Sequence, residues 1–203
     1  MAKVAKPVVD SLSAAVFVDR DGTLIKEVGY LSRLDQIEIL PGVPEGLCRL
    51  RGIGLKIVMV TNQSAVARGM LSEAQLQAIH REVWVRLSSA GAILDGIYYC
   101  PHHPEEGIGD YRRICECRKP KSGMVAKAAR ELRLDPQGSY VVGDQAIDME
   151  LAGSIQAKGV RIGQPPLPDS ADLGYTMVKD FPEAAEWIAR DFARYSTRNE
   201  GET

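Results

Sequence analysis

Residues 55–60 read Leu-Lys-Ile-Val-Met-Val and break at once into Thr61-Asn62-Gln63-Ser64. A run this apolar has almost no polar face to give to water, so it reads as a strand covered on both sides. Parallel sheets bury their strands in this way. Residues 14–18 form a second such run, and it stops at Asp19-Arg20-Asp21-Gly22-Thr23. Residues 93–99, 139–142 and 159–162 supply further strands, and 175–178 an edge strand. Helical patterns lie between them. Pro41-Gly42 opens one that runs to about Leu50 and stops near Gly52 and Gly54. Ser72 caps a longer one through Ser88, with Gln75 completing a capping box. Residues 122–132 and 147–156 follow, and an amphipathic last helix covers 182–195. The tail from Arg190 onward reads as a frayed end. Residues 163–168 are rich in proline, and residues 100–120 carry no regular period. Such β-α-β-α alternation predicts an α/β fold: a doubly wound, Rossmann-like parallel sheet with helices on both faces.

Composition narrows the partners. The 203 residues are 45% hydrophobic and 26% charged, with a net charge of -2. That balance fits a globular chain and gives no electrostatic reason to bind nucleic acid or anionic lipid. No apolar run is long enough to span a membrane. The first residues lack the compact apolar stretch of a signal peptide, so the expectation is a cytoplasmic protein, and a monomer. Four cysteines in that compartment point to thiol or metal chemistry before disulfides.

In an open parallel sheet the ligand crevice lies beyond the carboxyl ends of the strands. Asp19 and Asp21 follow the first strand, Thr61 and Asn62 the second, and Gly143-Asp144 the fourth, with Asp148 four residues on. Arg118-Lys119 precedes a helix. Carboxylates at Asp19 and Asp144 suit a hard cation such as Mg²⁺, which keeps several waters and binds phosphate oxygens. Thr61 and Lys119 suit a phosphoryl group, and an aspartate beside metal and phosphate is a nucleophile candidate. Taken singly, DxDG is more often a turn, TNQ a helix cap and a lysine solvated. Four such motifs in order, each at a strand end or helix start, argue for a site.

These motifs, DRDGT at 19–23, TNQS at 61–64, RKP at 118–120 and GDxxxD at 143–148, resemble those of haloacid dehalogenase-like phosphatases over about residues 14–163. The resemblance is closest to the bacterial heptose bisphosphate phosphatase branch. The stretches that carry it are GY at 29–30, TNQSAVARG at 61–69, DGIYYCPHHP at 95–104, CECRKP at 115–120 and VGD at 142–144. It implies that Asp19 attacks phosphorus and that Asp21 first protonates the leaving oxygen, then takes a proton from water. It implies Mg²⁺ held by Asp19, by the main-chain carbonyl of Asp21 and by Asp144, with Asp148 supporting Lys119 or the metal site. Thr61 and Lys119 would hold the phosphoryl oxygens. Glu27, Gly29, Tyr30, Asn62, Gln63, Ser64, Arg118 and Lys119 would contact a small phosphorylated sugar. The implied activity is removal of the C7 phosphate of a heptose 1,7-bisphosphate, a step in making nucleotide-heptose for lipopolysaccharide. A histidinol-phosphate phosphatase is the alternative, because that branch shares DRDGT, TNQ and a zinc loop. The longer loop here and the ARG after TNQSAV favour heptose. A zinc-binding module without catalysis is the third reading, and intact Asp19, Asp21, Lys119 and Asp144 argue against it. The chain departs from the family pattern at Ala65, where glycine is usual, and at Gln145, where lysine is frequent.

Cys100, His102 or His103, Cys115 and Cys117 form a CxH…CxC set that matches a closed tetrahedral Zn²⁺ site. The resemblance points to His102. A zinc-closed loop at 100–117 would fix Arg118 and Lys119, which follow it directly. The expectation is one phosphatase domain over 1–203 with this loop inserted, a flexible C-terminal tail and no cap domain, so that the loops at 24–40 and 100–118 form the lid. Cys48 reads as core, Trp84 as packing, and His80 as surface or core edge.

Overall fold

β1 (Ala15–Val18) is buried along its whole length. The computed structural model describes residues 12–163 and 174–200, with side chains to residue 194. Most of the Pro-rich stretch at 163–168 and the first eleven residues lie outside the described part. β1 sits inside a six-stranded sheet with β2 (Lys56–Asn62), β3 (Gly96–Cys100), β4 (Tyr140–Gly143), β5 (Lys158–Ile162) and β6 (Thr176–Val178). The order is β3-β2-β1-β4-β5-β6, and every pairing is parallel. The chain winds outward from β1 to β3, then returns to place β4 on the other side of β1. That reversal puts the crevice between β1 and β4.

Alternation along the strands divides the interior into two layers. Val16 and Val18 of β1, with Ile57 and Met59 of β2, pack under α1 (Val43–Gly52), α3 (Glu73–Ser89) and α6 (Phe181–Glu200). Ala15, Phe17, Val58, Val60 and Val141 face the other way, against α4 (Gly123–Leu132) and α5 (Ala146–Ser154). Each Val, Leu or Phe so buried contributes about 1.5–3 kcal/mol. Ser72 caps α3 as the sequence predicts: the Gln75 N–H donates to Ser72 Oγ at 3.2 Å, and the Ser72 N–H donates to Gln75 Oε1 at 2.9 Å.

Several expectations need correction. β3 begins at Gly96, not near 93, because Asp95 turns its carboxylate to the Ile57 N–H at 2.9 Å and pairs with Arg51 and Lys56. Cys48 is exposed: Val43, Gly46, Leu47 and Leu50 form the buried stripe of α1, and position 48 lies outside it. Trp84 is 43% exposed for the same reason on α3. His80 lies in that helix's buried stripe, between Leu76 and Val83, and packs against the Tyr99 ring at 5.3 Å. The last helix runs past 195 to Glu200, through the stretch expected to fray, and buries Phe181, Ala184, Ala185 and Ile188. A four-residue helix, α2 (Ser64–Ala67), follows β2 where only a polar strand end was expected.

Candidate active site

Beyond Val18 the main chain continues the sheet for one more step, with the Asp19 N–H donating to Val142 O at 2.9 Å. It then turns tightly. The Leu24 and Ile25 N–H groups both donate to Arg20 O, and Gly22 N–H donates to Ile25 O. Gly22 has φ 71°, and a Cβ there would lie 2.3 Å from Asp144 Oδ2. So the turn has to be glycine for its backbone and for the carboxylate that rests on it. This packing brings the end of β1 against the end of β4.

Lys119 is the buried hub of the site, 3% exposed. Its Nζ donates to Asp19 Oδ1 at 2.7 Å, Asp148 Oδ1 at 2.7 Å and Val60 O at 3.0 Å. Burial alone would lower the lysine pKa, but the two carboxylates outweigh it and hold the value above normal. Asp148 therefore supports the lysine. The Gln145 N–H donates to its other oxygen at 3.2 Å. Asn62 fixes the lysine's main chain from both sides: its Oδ1 accepts the Lys119 N–H at 3.0 Å and its Nδ2 donates to Lys119 O at 3.2 Å.

Asp19, Asp144 and Asp148 bring carboxylate oxygens within 4.8 Å of one another. Burial, then the charges of Asp19 and Asp148, raise Asp144 to a pKa of about 6. Its Oδ1 is buried and has no hydrogen-bond partner among the described residues. A buried, orphaned anionic oxygen beside two further carboxylates is what a divalent cation would satisfy. The donor set fits Mg²⁺.

Asp21 is held apart from that cluster. Arg20 clasps it in a two-pronged pair, Nε to Oδ1 at 3.0 Å and Nη2 to Oδ2 at 2.8 Å. Gln63 Nε2 donates both to Asp21 Oδ2 at 3.0 Å and to Thr61 Oγ1 at 2.8 Å. The two aspartates thus have different surroundings: one bound to the lysine, one steadied by an arginine and an amide. Sequence reasoning gave Arg20 no role, and its position between two acids is the one signal that marked it. Gln63, expected to touch substrate, bridges two site residues.

Asp19, Asp21, Glu27, Gly29, Tyr30, Thr61, Asn62, Gln63, Ser64, Arg118 and Lys119 line one cleft of about 750 Å³, measured out to open solvent. Glu27 accepts the Gly29 N–H at 2.5 Å. Burial, then the nearby Asp21 charge, raises its pKa. Gln145 also lines the cleft, as a neutral group. Ala65 is buried in α2.

Cys100, His102, Cys115 and Cys117 converge at the base of the loop. Their sulfurs lie 3.2–3.5 Å apart, and His102 Nδ1 is 3.3 Å from Cys117 Sγ. His103 points elsewhere: its Nδ1 accepts the N–H groups of Glu105 and Glu106 at 3.3 and 3.0 Å, capping a turn. The choice the spacing left open falls to His102. Arg118 follows directly and donates to His102 O at 3.0 Å. So the thiol cluster and the cleft share one strap.

A parallel sheet with this strand order, two aspartates after β1 and a lysine between carboxylates define a haloacid dehalogenase-like hydrolase. Residues 116–164 match the HAD-hydrolase-like family model. The chain is 39% identical over 176 residues to the D-glycero-beta-D-manno-heptose-1,7-bisphosphate 7-phosphatase of Escherichia coli K12, covering 84% of this chain and 92% of that one. It is 41% identical to the enzyme of the same name from Pasteurella multocida, over 90% and 94%. It also superposes on the D,D-heptose 1,7-bisphosphate phosphatase of B. bronchiseptica in complex with magnesium and phosphate: TM-score 0.74, 29% identity, 87% and 99% of the two chains. The chain belongs to the heptose-1,7-bisphosphate 7-phosphatase family.

Proposed function

We propose that this protein removes the C7 phosphate of D-glycero-β-D-manno-heptose 1,7-bisphosphate and leaves the C1 phosphate in place. The observation that carries the reading is the Asp19–Lys119–Asp148 cluster beside the orphaned oxygen of Asp144, in a chain so similar to enzymes named for that reaction. Asp19 attacks the C7 phosphorus, and the bond from phosphorus to the sugar oxygen breaks. Asp21 gives its proton to that oxygen. Water then attacks the aspartyl phosphate, Asp21 takes back a proton, and inorganic phosphate leaves with Asp19 restored. Thr61 donates to a phosphoryl oxygen, and Lys119, whose three donors rest on Asp19, Asp148 and Val60 O, passes its Asp19 bond to another as Asp19 attacks and so offsets their growing charge. Arg20 and Gln63 hold Asp21 as the carboxylate that takes the proton from water, and one Asp21 oxygen turns away from them when it carries the proton to the sugar oxygen. Asp19, Asp144 and the Asp21 carbonyl would hold Mg²⁺, which when bound supplies further positive charge against the phosphoryl group. Glu27, Tyr30 and Arg118 face the sugar, with Glu27 as acceptor for its hydroxyls.

Cys100, His102, Cys115 and Cys117 would hold Zn²⁺, and its part would be mechanical, closing the loop that carries Arg118 and Lys119. The product keeps the anomeric phosphate that nucleotide activation of a sugar requires, in keeping with nucleotide-heptose synthesis for lipopolysaccharide. Phosphate release from the heptose bisphosphate with Mg²⁺, by the parent and by Asp19→Asn, tests the reading. Turnover by the parent and none by the variant is expected. Equal rates would mean that Asp19 is not the nucleophile.

A further inference from the structure

We propose that Arg68 is a positioning residue that ties the two loops of the lid together across the mouth of the cleft. It stands at the carboxyl end of α2, where it caps the helix. Its guanidinium lies over the Tyr30 ring at 5.5 Å from the centroid and makes an ion pair with Glu106. Tyr30 belongs to the loop at 24–40 and lines the cleft; Glu106 belongs to the loop at 100–118. One side chain therefore touches both loops. Its Nε is buried and has no partner among the described residues, so the group is held by its two ends.

The rest of the lid shows why this matters. The far end of the first loop is pinned by Arg86, which donates to Leu34 O at 3.1 Å and to Ile37 O. The tip, with Tyr30 44% exposed, meets Arg68. The second loop is fastened beside the same residue by the Ile108 N–H, which donates to Ala67 O at 2.8 Å. Removing the guanidinium frees Tyr30 and leaves the phosphoryl pocket around Asp19 and Lys119 untouched. Arg68 thus acts on the sugar end of the substrate.

The inference rests on the proposed sugar-phosphate reading, and the test separates the two. The parent is assayed first with the heptose bisphosphate; no turnover there counts against the proposed function alone. The Arg68 comparison then uses whichever sugar phosphate the parent hydrolyses. Arg68→Met is expected to raise KM about fivefold, the scale of one half-exposed cation–π contact, with kcat within about twofold. The inhibition constant of inorganic phosphate, which reads the phosphoryl pocket alone, stays unchanged. Arg68→Lys restores part of the loss, and Glu106→Gln moves KM in the same direction by less. In a double-mutant cycle, Arg68→Met and Tyr30→Leu lose less together than the sum of their separate effects. Additive losses, an unchanged KM, or an equal loss of phosphate binding would overturn the proposal. If Arg68→Met does not fold, Glu106→Gln and Tyr30→Leu carry the same cycle.

Discussion

Asp148→Asn changes one oxygen for one amide nitrogen at a site that is 1% exposed. Asp148 Oδ1 sits 2.7 Å from Lys119 Nζ, and Oδ2 accepts the Gln145 N–H. At an effective dielectric near 20, one such contact is worth about 6 kcal/mol before desolvation is counted. Breaking one side of a buried pair costs about 3–5 kcal/mol in practice. Lys119 keeps Asp19 and Val60 O, which lowers the loss. The new NH₂ must face either the lysine or the Gln145 N–H, donor against donor, which raises it again. A net loss of about 3 kcal/mol follows. In a chain of this size that lowers Tm by roughly 6–12 °C. The lysine is drawn wholly to Asp19, the proposed nucleophile, so kcat falls as well. Thermal unfolding followed by circular dichroism, with phosphate release on the same sample, reads both. Burial raises the Asp148 carboxyl above its usual range, with the lysine pulling the other way and Asp19 adding to the rise. A Tm within about 2 °C of the parent would mean that Asp148 is protonated in the native protein, and the hub as described would be wrong.

Burial, with Arg20 adding to it, lowers His80 to a pKa of about 3. The folded state then binds fewer protons than the unfolded one below pH 6.5. Stability is full above that value and falls as the pH drops, by about 2 kcal/mol between pH 7 and pH 5. His80→Leu should flatten a urea-denaturation profile by that amount, and parallel curves for the two proteins would contradict this. Gly22→Ala puts a Cβ 2.3 Å from Asp144 Oδ2 at a left-handed position. The half-saturating Mg²⁺ concentration should rise about 10–100-fold, and an unchanged Mg²⁺ titration would sink the role given to Asp144. Elemental analysis should find zinc at about one per chain, and stripping it should lower turnover by loosening the strap. Unchanged turnover in protein shown to be zinc-free would refute the mechanical role.

The strand ends were legible because a buried parallel strand leaves an unbroken apolar run, and the residue that ends it stands out. That pattern alone places Asp19, Thr61 and Asp144 at one edge of the sheet. Helix facing was legible only by period. Leu76, His80, Val83 and Leu87 share a stripe, and counting them would have buried His80 and exposed Trp84. The roles of Arg20 and Arg68 were not legible, because an arginine in a loop is usually solvated; Arg20 pairs with its neighbour Asp21, and the partners of Arg68 come from two other loops. The histidine was legible by resemblance, which pointed to His102, and not by spacing. His102 and His103 are neighbours in sequence, and the difference is made by two main-chain N–H groups that His103 caps. Short α2 escaped because four residues carry no period.

The proposed reaction breaks the phosphate ester at C7 and spares the one at C1. Incubating the protein and Mg²⁺ with D-glycero-β-D-manno-heptose 1,7-bisphosphate, and following ³¹P resonances, tests it most directly, with the α anomer and histidinol phosphate alongside. Loss of the C7 signal, persistence of the anomeric C1 signal and faster turnover of the β anomer than of the other two are the expected result. Loss of the C1 signal, or preference for histidinol phosphate, would contradict the account.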